Sequence, residues 1–461
     1  MATISLADSS SEHKFSEIRK AAEVAMQDAN VPGLALGIIY KSEEYTTGIG
    51  VTNVDHPQSV DADTLFAIGS VTKTFTASAM MSLIEEGLLQ LDTPVTDILP
   101  MFRVADMQAT KQVKVVDLFQ HRTGWLGDHI DDTGQGDDAL DRVMWQLRYL
   151  PQITPFGEVW TYNNVNYMIA GKIMEEVTGQ LVEQVIMDRI VKPLGMVNSG
   201  FDPRHLLSKK LAVGHAASTD DQVINISDVA TFRSVYPAGG LRSTARDMLK
   251  YASFQLNHKH SHGEGVLKPA TLALMQQPLV SAEMDDWTGI SWFGEDIQGV
   301  KVIHHGGRWI GMTSKLVVVP EKDFAIVVMT NSDRGSEVYG EIITKALKDF
   351  LGLEREELKT LPFDRQSLAP FVGMFRGNLE DFRFYFDKDQ LWVERLYKAM
   401  ASGKSSVKYK PVPPMPVSLV GQNKVMITSG ANAGVVGELI EDATGEFPYL
   451  RMMHRIYLRE D

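Results

Sequence analysis

A chain of 461 residues is too long for one small core and suits one large domain with a smaller companion. Hydrophobic residues make up 44% and charged residues 23%, as in ordinary globular proteins, and 59 acidic against 45 basic residues (net −14) argue against an electrostatic footprint for nucleic acid. The absence of cysteine removes disulfides, thiolate metal sites and cysteine nucleophiles in one step.

Residues 1–14 are polar and acidic, with no basic stretch leading into an apolar run, which argues against a secretory signal. No apolar run is long enough to cross a bilayer. The expectation is a cytoplasmic chain that engages no membrane, a mature exported form being the alternative. Phe15 to Asn30 has helical periodicity, with Ile18, Ala21, Ala22, Ala25 and Met26 on one side, and Val31-Pro32-Gly33 breaks it. Leu34–Tyr40 reads as a strand and Glu44–Val51 as its antiparallel partner. Thr64–Ile68 leads to Gly69-Ser70, from which a helix runs to about Glu86 and ends at Gly87.

From about residue 90 to 285 the pattern is helical with loops. Strand character returns at Val300–His304, Thr313–Val319 and Phe324–Thr330, and Gly340–Leu351 reads as a closing helix. Early and late strands around a helical middle predict one antiparallel sheet, built from both ends of the domain, flanked by helices and carrying a helical insertion: an α+β fold. After Leu361 the texture changes to short strands at Phe382–Phe386, Leu391–Arg395, Val407–Val412, Lys424–Thr428, Val435–Ile440 and Tyr449–Leu458, with Pro411–Pro416 read as a connection. This predicts a small C-terminal antiparallel β-barrel. Charge supports a boundary near 360: residues 362–461 carry 13 basic and 12 acidic residues, the remainder 32 and 47. The expected domains are 1–360 and 361–461.

Three segments carry chemistry. Ser70-Val71-Thr72-Lys73 alone is weak, because Ser70 can equally be a helix N-cap. If Ser70 opens the helix, Lys73 lies one turn on, on roughly the same face. The helix dipole and burial both disfavour its ammonium form, and a neutral amine can take the serine's proton. Tyr162-Asn163-Asn164 follows the loop marked by Pro155 and Gly157; a tyrosine there can shuttle a proton, and Asn164 can bond both the lysine and a substrate. His305-Gly306-Gly307 lies on a late strand whose glycines let a substrate approach, and the N–H of Arg308 joins that of Ser70 as an oxyanion donor.

In order and approximate separation these segments resemble the three motifs of the serine β-lactamase and penicillin-binding-protein superfamily. Tyr-x-Asn as the second motif resembles the class C β-lactamase branch, with its family VIII esterases and D-amino-acid peptidases. Phe66-Ala67-Ile68-Gly69, Leu118 to Gly124, Pro193 to Met196 and Ala238 to Thr244 are similar too, so the resemblance covers about residues 15 to 355. The C-terminal part resembles the lipocalin-like domain of some members. One departure stands out: His305 occupies the place of a lysine that offers β-lactam carboxylates a permanent cation, and histidine is mostly neutral near pH 7.

The resemblance implies a metal-independent serine hydrolase without cofactor, cleaving an ester, amide or peptide bond of a small molecule through a Ser70 acyl-enzyme. Ser70, Lys73, Tyr162, Asn164 and His305 are the expected catalytic residues, and Gly306, Gly307, Trp309 and Trp160 the substrate-binding ones. A β-lactamase or D-alanyl carboxypeptidase is the enzymatic alternative, and a non-catalytic ligand-binding module the alternative from another class. His258, His260 and His262 alternate as metal ligands can, in a polar stretch that reads better as a solvated loop. Asp131-Asp132 and Asp137-Asp138 lack the fixed spacing of a calcium loop. Homo-oligomerisation stays open.

Overall fold

Val31-Pro32 ends the first helix, α1 (Leu6–Asp28), and the eight residues that follow run extended as β1 (Gly33–Tyr40). Seven of those eight are buried, which is why the strand reads as a continuous apolar run rather than an alternating one. The chain returns as β2 (Glu43–Gly50), whose exposed and half-buried residues suit an edge. The computed structural model describes residues 6–201, 208–217, 223–226, 232–258, 265–284, 286–398, 412–430 and 432–460.

The other strands of this sheet come from far along the chain: β3 (Val280–Ser281), β4 (Trp287–Thr288), β5 (Phe293–Ile297), β6 (Val300–Trp309), β7 (Met312–Val319) and β8 (Phe324–Thr330). Their order is β2-β1-β8-β7-β6-β5-β4-β3, every neighbour antiparallel, with Leu34 opposite Thr330 and Ile38 opposite Ile326. The sheet is therefore assembled from both ends of its unit, as the sequence predicted. One face packs on α1 and α5 (Gly335–Ala346) through Ile18, Ala22, Leu36, Val302, Val317, Val328 and Ile342. On the other face, α4 (Ala245–Gln255) packs against β1 and β8, with Leu249 filling the space left by Gly37. Between β2 and β3 in the sequence lie α2 (Thr72–Glu85) and α3 (Val165–Thr178), both largely buried. Residues 72–83 of α2 are all buried, so this helix is a core element with no solvent face.

Eight strands close a separate barrel: β9 (Gly373–Arg376), β10 (Glu380–Asp387), β11 (Gln390–Tyr397), β12 (Met415–Gly421), β13 (Lys424–Ile427), β14 (Val436–Ile440), β15 (Tyr449–Met452) and β16 (Arg455–Arg459). Each pairs antiparallel with the next, and β16 returns to β9 with Arg376 opposite Leu458. Its core holds Phe371, Phe375, Phe382, Phe384, Val393, Val417, Ile427, Leu450 and Tyr457.

Two sequence expectations need correction here. Tyr449–Leu458 is a hairpin rather than one strand, turning at Met453 and His454, which both adopt left-handed backbone angles (φ 52° and 65°). This is the geometry that lets two residues reverse a twisted ribbon, and neither residue advertises it as glycine or asparagine would. Met415–Gly421 is a strand, although Pro416 within it disguised the segment as part of a connection. Of the expected strand Val407–Val412, residues 407–411 lie outside the described residues. The chain divides into two compact units, one of Met1–Gln120, Ile130–Leu150 and Asn164–Arg355, the other of His121–His129, Pro151–Asn163 and Glu356–Asp461.

Candidate active site

The first unit builds its site at a turn. A two-residue strand pair, Phe66–Ala67 with Arg242–Ser243, delivers the chain to Gly69, whose φ of 50° bends it into one 3-10 turn before α2 begins at Thr72. A Cβ on Gly69 would lie 2.5 Å from the backbone nitrogen of Arg308, so only glycine lets this turn press on β6. From the other side, a Cβ on Gly307 would meet the Ile68 carbonyl at 1.9 Å. The Ser314 hydroxyl donates to that carbonyl at 2.8 Å, tying β7 to the same turn. Gly307 thus has a packing reason as well as the substrate-access role expected of it. At Gly306 a Cβ would make only ordinary contact with Lys315.

Ser70 is not the cap of this helix. The cap positions, Ile68 and Val71, carry no side-chain cap bond, and the Thr72 hydroxyl donates to the Gly69 carbonyl instead. The Ser70 Oγ lies 3.2 Å from Nζ of Lys73, on the same face one turn along. Lys73 is fully buried. Its Nζ donates to Asn164 Oδ1 at 2.6 Å and to the Ala238 carbonyl at 2.7 Å, and stands 5.2 Å from the centre of the Tyr167 ring. Both carbonyl oxygens can only accept, so they take N–H bonds. Ser70 Oγ is met either by an N–H of the ammonium form or by the lone pair of the amine.

Asn164 opens α3, yet its side chain makes no cap bond there. A residue type that usually closes a helix end is turned toward the lysine. The Ala238 carbonyl is a partner that sequence reasoning missed, since a backbone oxygen leaves no side-chain signature; the neighbouring Gly239-Gly240 was its only trace.

His305 is almost wholly buried on β6, its ring 5.0 Å from that of Phe293. Its Nδ1 lies 2.7 Å from the Gly306 carbonyl, which can only accept, so Nδ1 carries the proton and a neutral ring keeps its lone pair at Nε2. His304 faces the opposite side of the sheet, as strand alternation requires, and accepts a bond from Lys315 at 2.8 Å. Burial pushes the Lys315 ammonium down to about 8, with Glu295 partly opposing. Trp309 stands edge-to-face with Phe232.

Tyr162 and Trp160 lie in the other unit. There the His121 ring stacks on Tyr162 at 4.6 Å, and its Nδ1 accepts the Asn163 N–H at 3.0 Å. The His121 carbonyl accepts the Thr161 N–H, and Asn163 Nδ2 donates to the Trp125 carbonyl. Trp160 is buried, edge-to-face with both His121 and His454. The main-chain N–H of Tyr162 donates to the His454 carbonyl at 2.9 Å. The guanidinium of Arg455 lies 4.4 Å from the Tyr162 ring centre and forks onto both carboxylate oxygens of Asp128, at 2.5 and 2.9 Å. Arg455 and Asp128 were not legible in the sequence, because the hairpin that presents Arg455 reads as one strand.

Of the alternating histidines, His258 is held by Asp323 and Ser253, while His260 and His262 lie outside the described residues. Among the described residues no cluster of histidine and carboxylate side chains has the makings of a metal site. Asp137 pairs with Arg233 and Asp138 with Arg142. No helix among the described residues is long and apolar enough to cross a membrane.

A profile of the Beta-lactamase family matches residues 18–347. Penicillin-binding protein 4 of Amycolatopsis lactamdurans is 31% identical over 357 residues, covering 75% of this chain and 93% of that protein. Unguisins hydrolase ungD' of Aspergillus campestris is 25% identical over 347 residues, 71% of this chain and 64% of that protein, of which the chain thus spans less than two thirds. Among solved structures, SurE is similar with a TM-score of 0.76 at 20% identity, covering 98% of this chain and all (100%) of that one. The octameric penicillin-binding protein homologue from Pyrococcus abyssi gives 0.66 at 24%, covering 97% and 100%. At those identities the likeness speaks for the fold.

Proposed function

The chain belongs to the beta-lactamase family of serine hydrolases, and from that premise we propose that it cleaves an ester or an amide/peptide bond of a small substrate through an acyl-enzyme on Ser70. The observation that carries this reading is the Ser70 hydroxyl at 3.2 Å from a fully buried lysine amine, itself oriented by Asn164 and the Ala238 carbonyl.

In the proposed sequence Ser70 Oγ attacks the substrate carbonyl while its proton passes to the neutral amine of Lys73. The carbonyl oxygen takes the negative charge, stabilised by the N–H groups of Ser70 and Arg308. Tyr162 gives its proton to the leaving group as the carbon–leaving-group bond breaks. Water then gives a proton to the Tyr162 phenolate as it attacks the acyl carbon, and Lys73 returns its proton to Ser70 Oγ as the acyl bond breaks, which restores all three groups. The close approach of Gly69 to the Arg308 backbone supports the choice of those two N–H groups. His305, with its neutral-ring lone pair at Nε2, favours substrates that lack an obligatory carboxylate at this position.

Ser70→Ala is expected to abolish hydrolysis of p-nitrophenyl esters in a chain that still folds; turnover surviving that change would remove the assignment. Metal independence belongs to the reading: activity is expected to persist in EDTA, and its loss would return attention to a metal. The relationship to a penicillin-binding protein supports a second substrate class, β-lactams, which are expected to acylate Ser70 slowly; rapid nitrocefin turnover would make β-lactams the principal substrate. A homo-oligomer is proposed on the example of the octameric Pyrococcus abyssi homologue, and light scattering giving the mass of one chain would contradict it.

A further inference from the structure

Within the second unit, two turns of the barrel converge on the loops that carry Tyr162. At the β9–β10 turn, Asn378 donates to the Asp128 carbonyl at 3.1 Å. At the β15–β16 turn, the His454 carbonyl accepts the Tyr162 N–H and Arg455 forks onto the Asp128 carboxylate. The Arg455 side chain is about a quarter exposed (27%) and its guanidinium lies over the Tyr162 ring, while Asp128 (7%) and Tyr162 (7%) are buried. A planar fork on a carboxylate has one favoured orientation, so Asp128 fixes the plane that meets the ring.

We propose that Arg455 is a positioning residue for Tyr162: the barrel supplies the cation that holds the phenol ring in place and stabilises negative charge as its proton is given up. The proposal rests on the role assigned to Tyr162 above. Three features support it. Arginine is a permanent cation, and one placed at a ring face attracts the π-system, the more so when partly withdrawn from water. Burial opposes the charge on Arg455, but the Asp128 carboxylate, with smaller contributions from the ionisable phenols of Tyr162 and Tyr457, outweighs it and holds the guanidinium above its ordinary range. The main-chain bond from Tyr162 to His454, one residue before Arg455, fixes ring and cation to the same turn. A tyrosine so held loses little freedom on reaching the transition state, which is where orientation contributes.

The test uses the full-length chain and p-nitrophenyl butyrate. Arg455→Met keeps the stem and removes the charge; the expected outcome is a fall in kcat of about 100-fold with KM within about threefold of the parent. Arg455→Lys keeps the charge without the planar fork and is expected to recover about tenfold of that loss. A merely structural arginine would lower the melting temperature and would not discriminate between lysine and methionine. A folded Arg455→Met with kcat within about threefold of the parent, beside an inactive Tyr162→Phe, overturns the proposal and leaves the tyrosine assignment standing. Parental kcat in Tyr162→Phe removes that assignment and the proposal with it. Should Arg455→Met fail to fold, Asp128→Asn carries the test, since it loosens the fork while leaving Arg455 and Tyr162 in place. A fall of about tenfold in kcat supports the proposal, and parental kcat overturns it.

Discussion

Two lysines of the first unit, Lys73 buried and Lys315 half-buried, show how neighbours decide what an amine does. Lys73 has carbonyl oxygens on two sides and the Ser70 hydroxyl on the third, a setting in which an amine can exchange a proton with a hydroxyl. Lys73→Arg is expected to keep the charge and lower kcat by about 1000-fold, because a guanidinium does not deprotonate near neutral pH. Lys315, on the opposite face of the sheet, donates to His304, and burial holds it near 8, below the usual lysine value. Its unfolded form binds a proton up to about pH 10.4, so between about 8 and 10.4 the unfolded chain holds more protons and stability rises with pH. Lys315→Met is accordingly expected to melt above the parent near pH 7 and to lose part of that advantage by pH 10. Thermal melts at the two pH values check this, and a gap that widens with pH would contradict it. Ser70, Lys73 and Asn164 were legible because their chemistry is carried by side-chain type and spacing. The Ala238 carbonyl was not, since every residue has one.

At the scale of elements, Ser70, the proposed nucleophile, is placed by a contact between a turn and a strand. Gly69 and Gly307 let the chain before α2 lie directly on β6, and neither position has room for a methyl group. Gly307→Ala is expected to cost about 1–3 kcal/mol of stability and to lower kcat more than KM, because the backbone it displaces carries Ile68 and Arg308. Denaturant unfolding alongside steady-state kinetics checks both, and a variant with parental values would remove the tight contact. The sheet's construction from both ends was legible in its apolar runs, and β1 does pair with β8. The Met453-His454 turn was hidden because its left-handed conformation falls on residues that rarely adopt it, and β12 because Pro416 masks a strand. Both misreadings fell in the barrel, where short strands leave little pattern to read. The hairpin that places Arg455 over the Tyr162 ring was therefore invisible in the sequence.

For the whole molecule, each unit has an apolar core of its own, one around the large sheet and one inside the barrel. Phe375 is fully buried in the latter, edge-to-face with Phe384. Phe375→Ala is expected to destabilise the barrel by about 3–5 kcal/mol, measured by chemical denaturation, and a change under about 1 kcal/mol would contradict that core assignment. The second unit also takes in two segments from the middle of the chain, including the one that ends at Asn163. Composition could signal a change of texture near residue 360, but not which earlier loops the later strands would gather. The central claim is that Ser70 carries the acyl group, and intact-mass spectrometry tests it most directly. After brief mixing with an activated ester or a β-lactam, the parent chain should gain the mass of one acyl group on the peptide containing Ser70, and Ser70→Ala should gain none. An equal adduct on Ser70→Ala, or hydrolysis by the parent with no adduct trapped at any time, would contradict the account.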